Sequence, residues 1–317
     1  MIQKSQTATL ASWTNNKQAT YVIACGIGLF SALALPVFAA PPGVLPFGVY
    51  DPGGQFSEDP DVQIEHLFLP WEDVFLPSLE LADEYAAERA RAILVTIEPW
   101  TWTRSERNSA ERLTQGITSG VYDGNIRAIC DTLAGFQSPV TVRWAQEMED
   151  SSGQFIWAKW EPETYISAYR HVVETCRQSS DNFDFMWSPL GYEDFQDYFP
   201  GDDYVDVIGL SVFGLQAWEQ EVLGSEQSFR DILTPRYERA LEFDLPIVVA
   251  ELGYVGDTAY IERWENDVRQ DLDGFPELEA VIYFNQQEVY PWPDGFGLPD
   301  WRIPNNQLDE IQAGLSD

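Results

Sequence analysis

Pro139-Val-Thr-Val-Arg-Trp-Ala-Gln-Glu-Met148 is an apolar, β-branched run that turns polar at its end, and Pro246-Ile-Val-Val-Ala-Glu-Leu-Gly253 repeats the plan about a hundred residues later. Each reads as a buried strand opening into a loop. Glu147 and Glu251 stand at the openings, where a carboxylate can sit half in protein and half in a cleft. Two facing carboxylates are the minimum equipment for breaking a glycosidic bond, one to protonate the leaving oxygen and one to attack or to activate water.

Similar runs recur on both sides. Phe47 to Tyr50, Gln63 to Leu69, Ile93 to Ile97, Phe183 to Trp187, Val205 to Leu210 and Ala280 to Phe284 read as further strands. Helical spacing fills the gaps at Leu76 to Ala92, Tyr122 to Leu133, Pro162 to Arg177, Phe229 to Phe243 and Ala259 to Leu272, with a last helix expected after Pro304. Eight strands alternating with helices over this length predict an α/β fold, a (β/α)8 TIM barrel. Its functional mouth lies at the C-terminal strand ends, so Glu147 after strand four and Glu251 closing strand seven are expected at the same mouth.

The first forty residues have a different character. Lys4 and Lys17 precede an apolar stretch from Tyr21 to Ala40, and Val37-Phe-Ala39 fits the small-residue rule for cleavage. Residues 1–40 are therefore expected to be a signal peptide, with an uncleaved anchor as the alternative. The apolar residues lie mostly after Cys25, which argues against lipidation there. Residues 41–317 read as one catalytic domain, secreted or periplasmic, with no linker, repeat or low-complexity block.

Composition excludes several partners. Asp+Glu number 52 against 18 Lys+Arg, a formal net charge of −34. Such a surface repels phosphate backbones and anionic lipid, and it disfavours polyanionic sugars. A neutral polysaccharide remains. His66 and His171 are the only histidines, which argues against a His-rich metal site or a Ser-His-Asp triad. Asp202-Asp203 lacks the oxygen-ligand series of a calcium site, so no metal is expected. Cys130 and Cys176 could form a disulfide in an exported protein or remain two buried thiols.

Around Glu147, Arg143 can hold a carboxylate ionised, as a nucleophile needs, and Gln146 can line the cleft. Glu147 itself must keep its proton near neutral pH, through burial or the proximity of Glu251. The twelve tryptophans give a second line. Trp71, Trp100, Trp102, Trp144, Trp157, Trp160, Trp187, Trp218 and Trp292 fall just past strand ends, where indole faces could stack on sugar rings, although core packing is as good a reading for any one of them. Tyr50, Glu98, Asn285 and Gln286 also fall at strand ends and could bond sugar hydroxyls.

Arg143-x-x-Gln146-Glu147-Met148 resembles the Arg-x-x-His-Glu-Met segment of glycoside hydrolase family 26, the β-mannanase family of the retaining (β/α)8 clan. The similarity continues through Trp157-Ala-Lys-Trp160, Pro162-x-x-Tyr165, Met186-Trp-Ser-Pro189, the segment from Tyr198 to Gly209, and Pro246-Ile-x-x-Ala-Glu251-x-Gly253. The resemblance implies Glu147 as acid/base, Glu251 as nucleophile, and no metal or organic cofactor. It implies an endo-β-glycanase, first of β-1,4-mannan, with β-1,3-1,4-glucan and β-1,3-xylan as activities also found in the family. This chain has Gln146 where the family usually has His, Phe213 where it usually has Tyr, and Glu149-Asp150 where Asn-Gly often follows. These departures surround the subsite that reads the sugar 2-hydroxyl, so they bear on the choice of sugar more than on hydrolysis. A polysaccharide-binding barrel serving exopolysaccharide assembly is the reading from another class, and retention of both glutamates weighs against it.

Overall fold

The computed structural model describes residues 45–303 apart from 102, 270, 271 and 273. The signal segment, Trp102 and the helix expected after Pro304 lie outside the described residues. Within the unit Pro41–Arg302, eight parallel strands close into a barrel in sequence order. They are β1 (Phe47–Tyr50), β2 (Val62–Pro70), β3 (Ala92–Glu98), β4 (Val140–Trp144), β5 (Asp184–Trp187), β6 (Val207–Leu215), β7 (Ile247–Val255) and β8 (Leu278–Phe284). The ring closes where β1 pairs with β8.

Strands buried on both faces need no polar alternation, which is why β7 opens as the continuous apolar run Ile247-Val-Val-Ala250, while β4 is buried throughout but carries Thr141 and Arg143 among its apolar residues. Helices α1 (Leu76–Glu88), α2 (Ala110–Thr118), α3 (Asp123–Leu133), α4 (Pro162–Arg177), α5 (Phe229–Ala240) and α6 (Thr258–Arg269) supply the crossovers. In α4, proline opens the first turn and Tyr165, Ala168, Tyr169, Val172, Val173 and Cys176 form the buried stripe at three- and four-residue spacing. The reading of the sequence contains no helix at α2. Ser109 caps it by accepting from the Arg112 backbone N–H, and its short amphipathic pattern lies inside a polar stretch. β6 and β7 each run about five residues beyond their expected ends, to Leu215 and Val255, and carry Ser211 and Gly253 in register with Glu251 and Phe213.

Cys130 of α3 and Cys176 of α4 form a disulfide with Cα atoms 5.2 Å apart, which decides the alternative the sequence leaves open. No helix among the described residues is long and apolar enough to cross a membrane.

Candidate active site

Inside the barrel, a chain of polar contacts crosses from β2 to β7. His66 Nε2 lies 2.7 Å from Thr96 Oγ1, and the Thr96 oxygen also accepts from Arg143 Nη1 at 3.3 Å. Arg143 Nη1 then donates to Glu251 Oε1 at 2.6 Å. Arginine has no acceptor to offer, so the Thr96 hydroxyl proton is free to meet the imidazole. Burial, with the Arg143 charge beside it, pushes the His66 pKa well below the ordinary value, so the ring is neutral here. The arrangement follows from strand periodicity. Thr96 and Glu98 share one face of β3, and Arg143 points inward on β4.

Irregular backbone after β4 then presents Glu147. Ala145 and Glu147 both adopt left-handed φ, 47° and 55°, a conformation that costs a side-chain-bearing residue energy and persists only where its surroundings enforce it. Three contacts enforce it. Glu147 N–H donates to Ser188 O at 2.7 Å, Tyr165 Oη donates to Ala145 O at 3.1 Å, and Trp157 Nε1 donates to Gln146 O at 2.7 Å. The strain turns the chain so that the Glu147 carboxylate reaches across to β6, where Ser211 Oγ donates to its Oε1. Ser211 stands opposite Glu251 in the β6–β7 register, so the strand that holds the Glu147 carboxylate lies beside the strand that carries Glu251.

Their environments differ. Glu251 carries the Arg143 ion pair. Glu147, half-buried at the mouth, has its pKa pushed up to about 8, first by loss of solvent and then by the charge of Glu251, with the Ser211 hydrogen bond and Arg143 pulling the other way. A third carboxylate stands beside them. Glu98, at the end of β3, accepts from Trp100 Nε1 at 2.9 Å and from Gln146 Nε2 at 3.2 Å, and burial lifts its pKa to about 7. Tyr50 completes this side, its phenol raised to about 12 by burial and by the charges of Glu98 and Glu251. Among the described residues no cluster of His, Cys, Asp and Glu is arranged to hold a metal ion.

The structure therefore gathers Arg143, Gln146, Glu147 and Glu251 at one mouth. It corrects the expectation for three tryptophans. Trp144 follows inward-pointing Arg143 and so faces outward, packed on Trp71, Tyr165 and Tyr169. Trp187 is buried among Phe195, Phe199 and Phe243. Trp157 is 0% exposed, stacked on Phe155, and bonded to the backbone of Gln146. These three are packing and positioning groups, not a sugar platform. Trp160 is buried too, with its indole N–H spent on Ile156 O, and Trp100 lies beneath the Arg107 guanidinium. Phe213 keeps partial exposure and packs on Phe284, Trp292 and Trp301. Ser211 and Thr96 were not singled out from the sequence. The only signal was a hydroxyl inside an apolar run, Leu210-Ser211-Val212 and Val95-Thr96-Ile97.

The pattern of glycosyl hydrolase family 26 matches residues 112–237. Among curated proteins, Endoglucanase H of Acetivibrio thermocellus is 22% identical over 257 residues, 73% of this chain and 26% of its own length. A β-1,3-xylanase of a Vibrio species is 32% identical over 109 residues, 32% of this chain and 23% of its own length. The chain thus spans about a quarter of the length of these curated relatives. Among solved structures, a β-mannanase from Bacteroides ovatus superposes with a TM-score of 0.56 at 20% identity, covering 76% of this chain and 80% of its own. A modular endo-β-1,4-mannanase from Cellulomonas fimi superposes with a TM-score of 0.62 at 16% identity, covering 87% of this chain and 71% of its own. At these identities the structural likeness establishes the barrel.

Proposed function

We propose that this chain is a glycosyl hydrolase of family 26 and a retaining endo-β-glycanase acting on a neutral β-linked backbone, β-1,4-mannan first. The observation that carries the reading is the unequal treatment of two convergent carboxylates. Glu251 is paired with a buried cation, while Glu147 is lifted to about 8 and so holds a proton at neutral pH. That division suits a nucleophile and a general acid.

In the proposed reaction a Glu251 oxygen attacks the anomeric carbon as the bond to the leaving sugar breaks. Glu147 gives its proton to the leaving oxygen. A water then attacks the same carbon, Glu147 takes that water's proton, and the sugar leaves Glu251 with its configuration retained. Arg143 orients Glu251 and counters its charge before the attack. No step calls for a metal or an organic cofactor. Export to the periplasm or the medium is part of the proposal, and the Cys130–Cys176 disulfide supports it.

A second substrate, mixed-linkage β-glucan, is favoured by one observation. Gln146 stands beside the acid with its amide N–H on Glu98 and its Oε1 buried without a partner among the described residues. An amide oxygen and a histidine nitrogen ask different things of a sugar hydroxyl. The named activity of the relative matched over most of this chain, an endoglucanase, points the same way.

The test is incubation of residues 40–317, wild type and Glu251→Gln, with glucomannan, galactomannan, lichenan, curdlan and β-1,3-xylan. Products are read by mass, and the first-formed anomer by proton NMR. Oligosaccharides from a mannan, absent with the variant, support the first substrate. Products from lichenan alone select the second. An inverted first product rejects retention. Binding without turnover on every polymer favours the polysaccharide-binding barrel instead.

A further inference from the structure

A cavity of about 420 Å³ opens beside Glu147, between the loop after β5, the end of β6 and helix α5. Ser211, the hydroxyl partner of Glu147, is part of its wall. Tyr192, Phe213, Trp218 and Trp292 supply aromatic faces, and Arg236 and Arg239 supply guanidinium groups. Ser211 bonds Glu147 and stands in register with Glu251, so the cavity borders the position of both carboxylates. Taking it as a sugar subsite rests on the glycanase reading above.

The polar equipment of the cavity is weighted toward donors. Arg236 and Arg239 stand three residues apart on α5, hence on neighbouring positions of one face. Arg236 Nη1 donates to Ser211 O and Arg239 Nη1 to Gly191 O at 2.9 Å, which leaves further N–H groups on each fork. Neither arginine forms an ion pair among the described residues, in a chain with 52 acidic and 18 basic residues. The acids nearest them have other hydrogen-bond donors, although the charges of Glu147 and Glu149 still act on Arg236. Glu219 accepts from Gln227 N at 2.8 Å and from Tyr260 Oη at 2.7 Å, Glu149 accepts from Gly191 N at 2.8 Å, and Glu147 accepts from Ser211. Trp292 Nε1 is a buried donor with no partner among the described residues. The remaining guanidinium N–H groups and the unpartnered indole N–H ask for an acceptor with several lone pairs, and a carboxylate matches the fork geometry best.

We propose that this cavity binds a sugar carrying a carboxylate, a uronic acid or an acidic substituent on an otherwise neutral backbone, in a subsite next to the two carboxylates. The aromatic walls would take the ring faces and the two arginines the acid. The strongly acidic remainder of the surface would reject a polymer charged at every residue and accept one charged only occasionally.

The test measures binding by calorimetry to the folded Glu251→Gln chain, residues 40–317. The probes are cellobiose, mannobiose and the same disaccharides oxidised at C6 to the uronic acid. The expected result is that the acidic probes bind about tenfold tighter at roughly 50 mM ionic strength, with the advantage lost at roughly 1 M salt. It should also be lost in the double variant Arg236→Met/Arg239→Met. Equal or weaker binding of the acidic probes overturns the inference, as does an advantage that survives the double substitution. If the double variant fails to fold, the wild-type arginines at low and high salt still decide, since only a charge-dependent preference is screened. Hydrolysis of neutral polymers without acid preference would overturn this inference and leave the glycanase reading standing. Arginine-dependent acid preference without any hydrolysis would do the reverse.

Discussion

Arg143 Nη1 and Glu251 Oε1 are 2.6 Å apart although 108 residues separate them in the chain. The arginine is fully buried and the carboxylate nearly so. Thr96 gives Arg143 a second contact, and Arg143 Nε and Nη2 have no partner among the described residues. A buried cation in that state depends on its one carboxylate, and the carboxylate depends on it. Glu251 lies beyond the segment 112–237 that matches the family pattern, so this ion pair is what ties β7 to the β4 motif.

Replacing Arg143 with Met should remove the charge that faces Glu251. A buried pair broken on one side costs roughly 3–5 kcal/mol. Urea unfolding of Arg143→Met should show a loss of that order, and kcat/KM on the polymer that proves to be the substrate should fall by about a hundredfold or more. A variant as active as wild type would remove Arg143 from the mechanism.

The pH profile should carry a limb near pH 8. Glu147 acts only while protonated, and its pKa is lifted to about 8, so kcat/KM should decline as pH rises through that value. The Ser211 hydrogen bond lowers this pKa, so Ser211→Ala should move the limb to higher pH. A limb that stays in place, or moves down, would contradict the assignment of Glu147 as the titrating acid.

The same residue should reduce stability as pH rises. The folded state holds the Glu147 proton up to about 8, while the unfolded chain releases it near the ordinary glutamate value of 4.5. Between those values the folded form binds more protons, so the contribution of this group to stability falls with increasing pH. Glu147→Gln removes that slope. Its stability relative to wild type should improve steadily from pH 5 to pH 8, measured by urea midpoints at each pH.

Trp144 and Trp187 should behave as packing residues. Trp→Ala at either site should cost roughly 3–5 kcal/mol, while a Trp→Phe change should leave KM for the polymer unaltered. A rise in KM for Trp144→Phe, with unchanged stability, would restore it as a sugar contact.

The Cys130–Cys176 bond closes a loop with a sequence separation of 46 residues. By chain entropy such a bond is worth roughly 4 kcal/mol. Unfolding in reductant, or of Cys130→Ala/Cys176→Ala, should show a loss of that order. No loss would mean that the cross-link does little to restrict the unfolded chain.

The chain by itself determined the barrel, because buried parallel strands must be apolar on both faces and must alternate with amphipathic helices, and both periodicities survive in one dimension. It also placed Glu147 and Glu251 at one mouth, since each follows an apolar run read as a strand of the same sheet, although β7 in fact continues past Glu251 to Val255. It could not decide which tryptophans meet solvent. Trp144 and Arg143 are neighbours in sequence and point to opposite sides of the sheet, and the outward side is covered by α4, a helix whose position only packing sets. Ser211 was hidden for a related reason. A hydroxyl inside an apolar run gains meaning only when a strained turn at Ala145 and Glu147 swings a carboxylate across the barrel to meet it. The unequal protonation of the two glutamates likewise belongs to tertiary structure, because desolvation and the distance between charges are properties of the assembled interior.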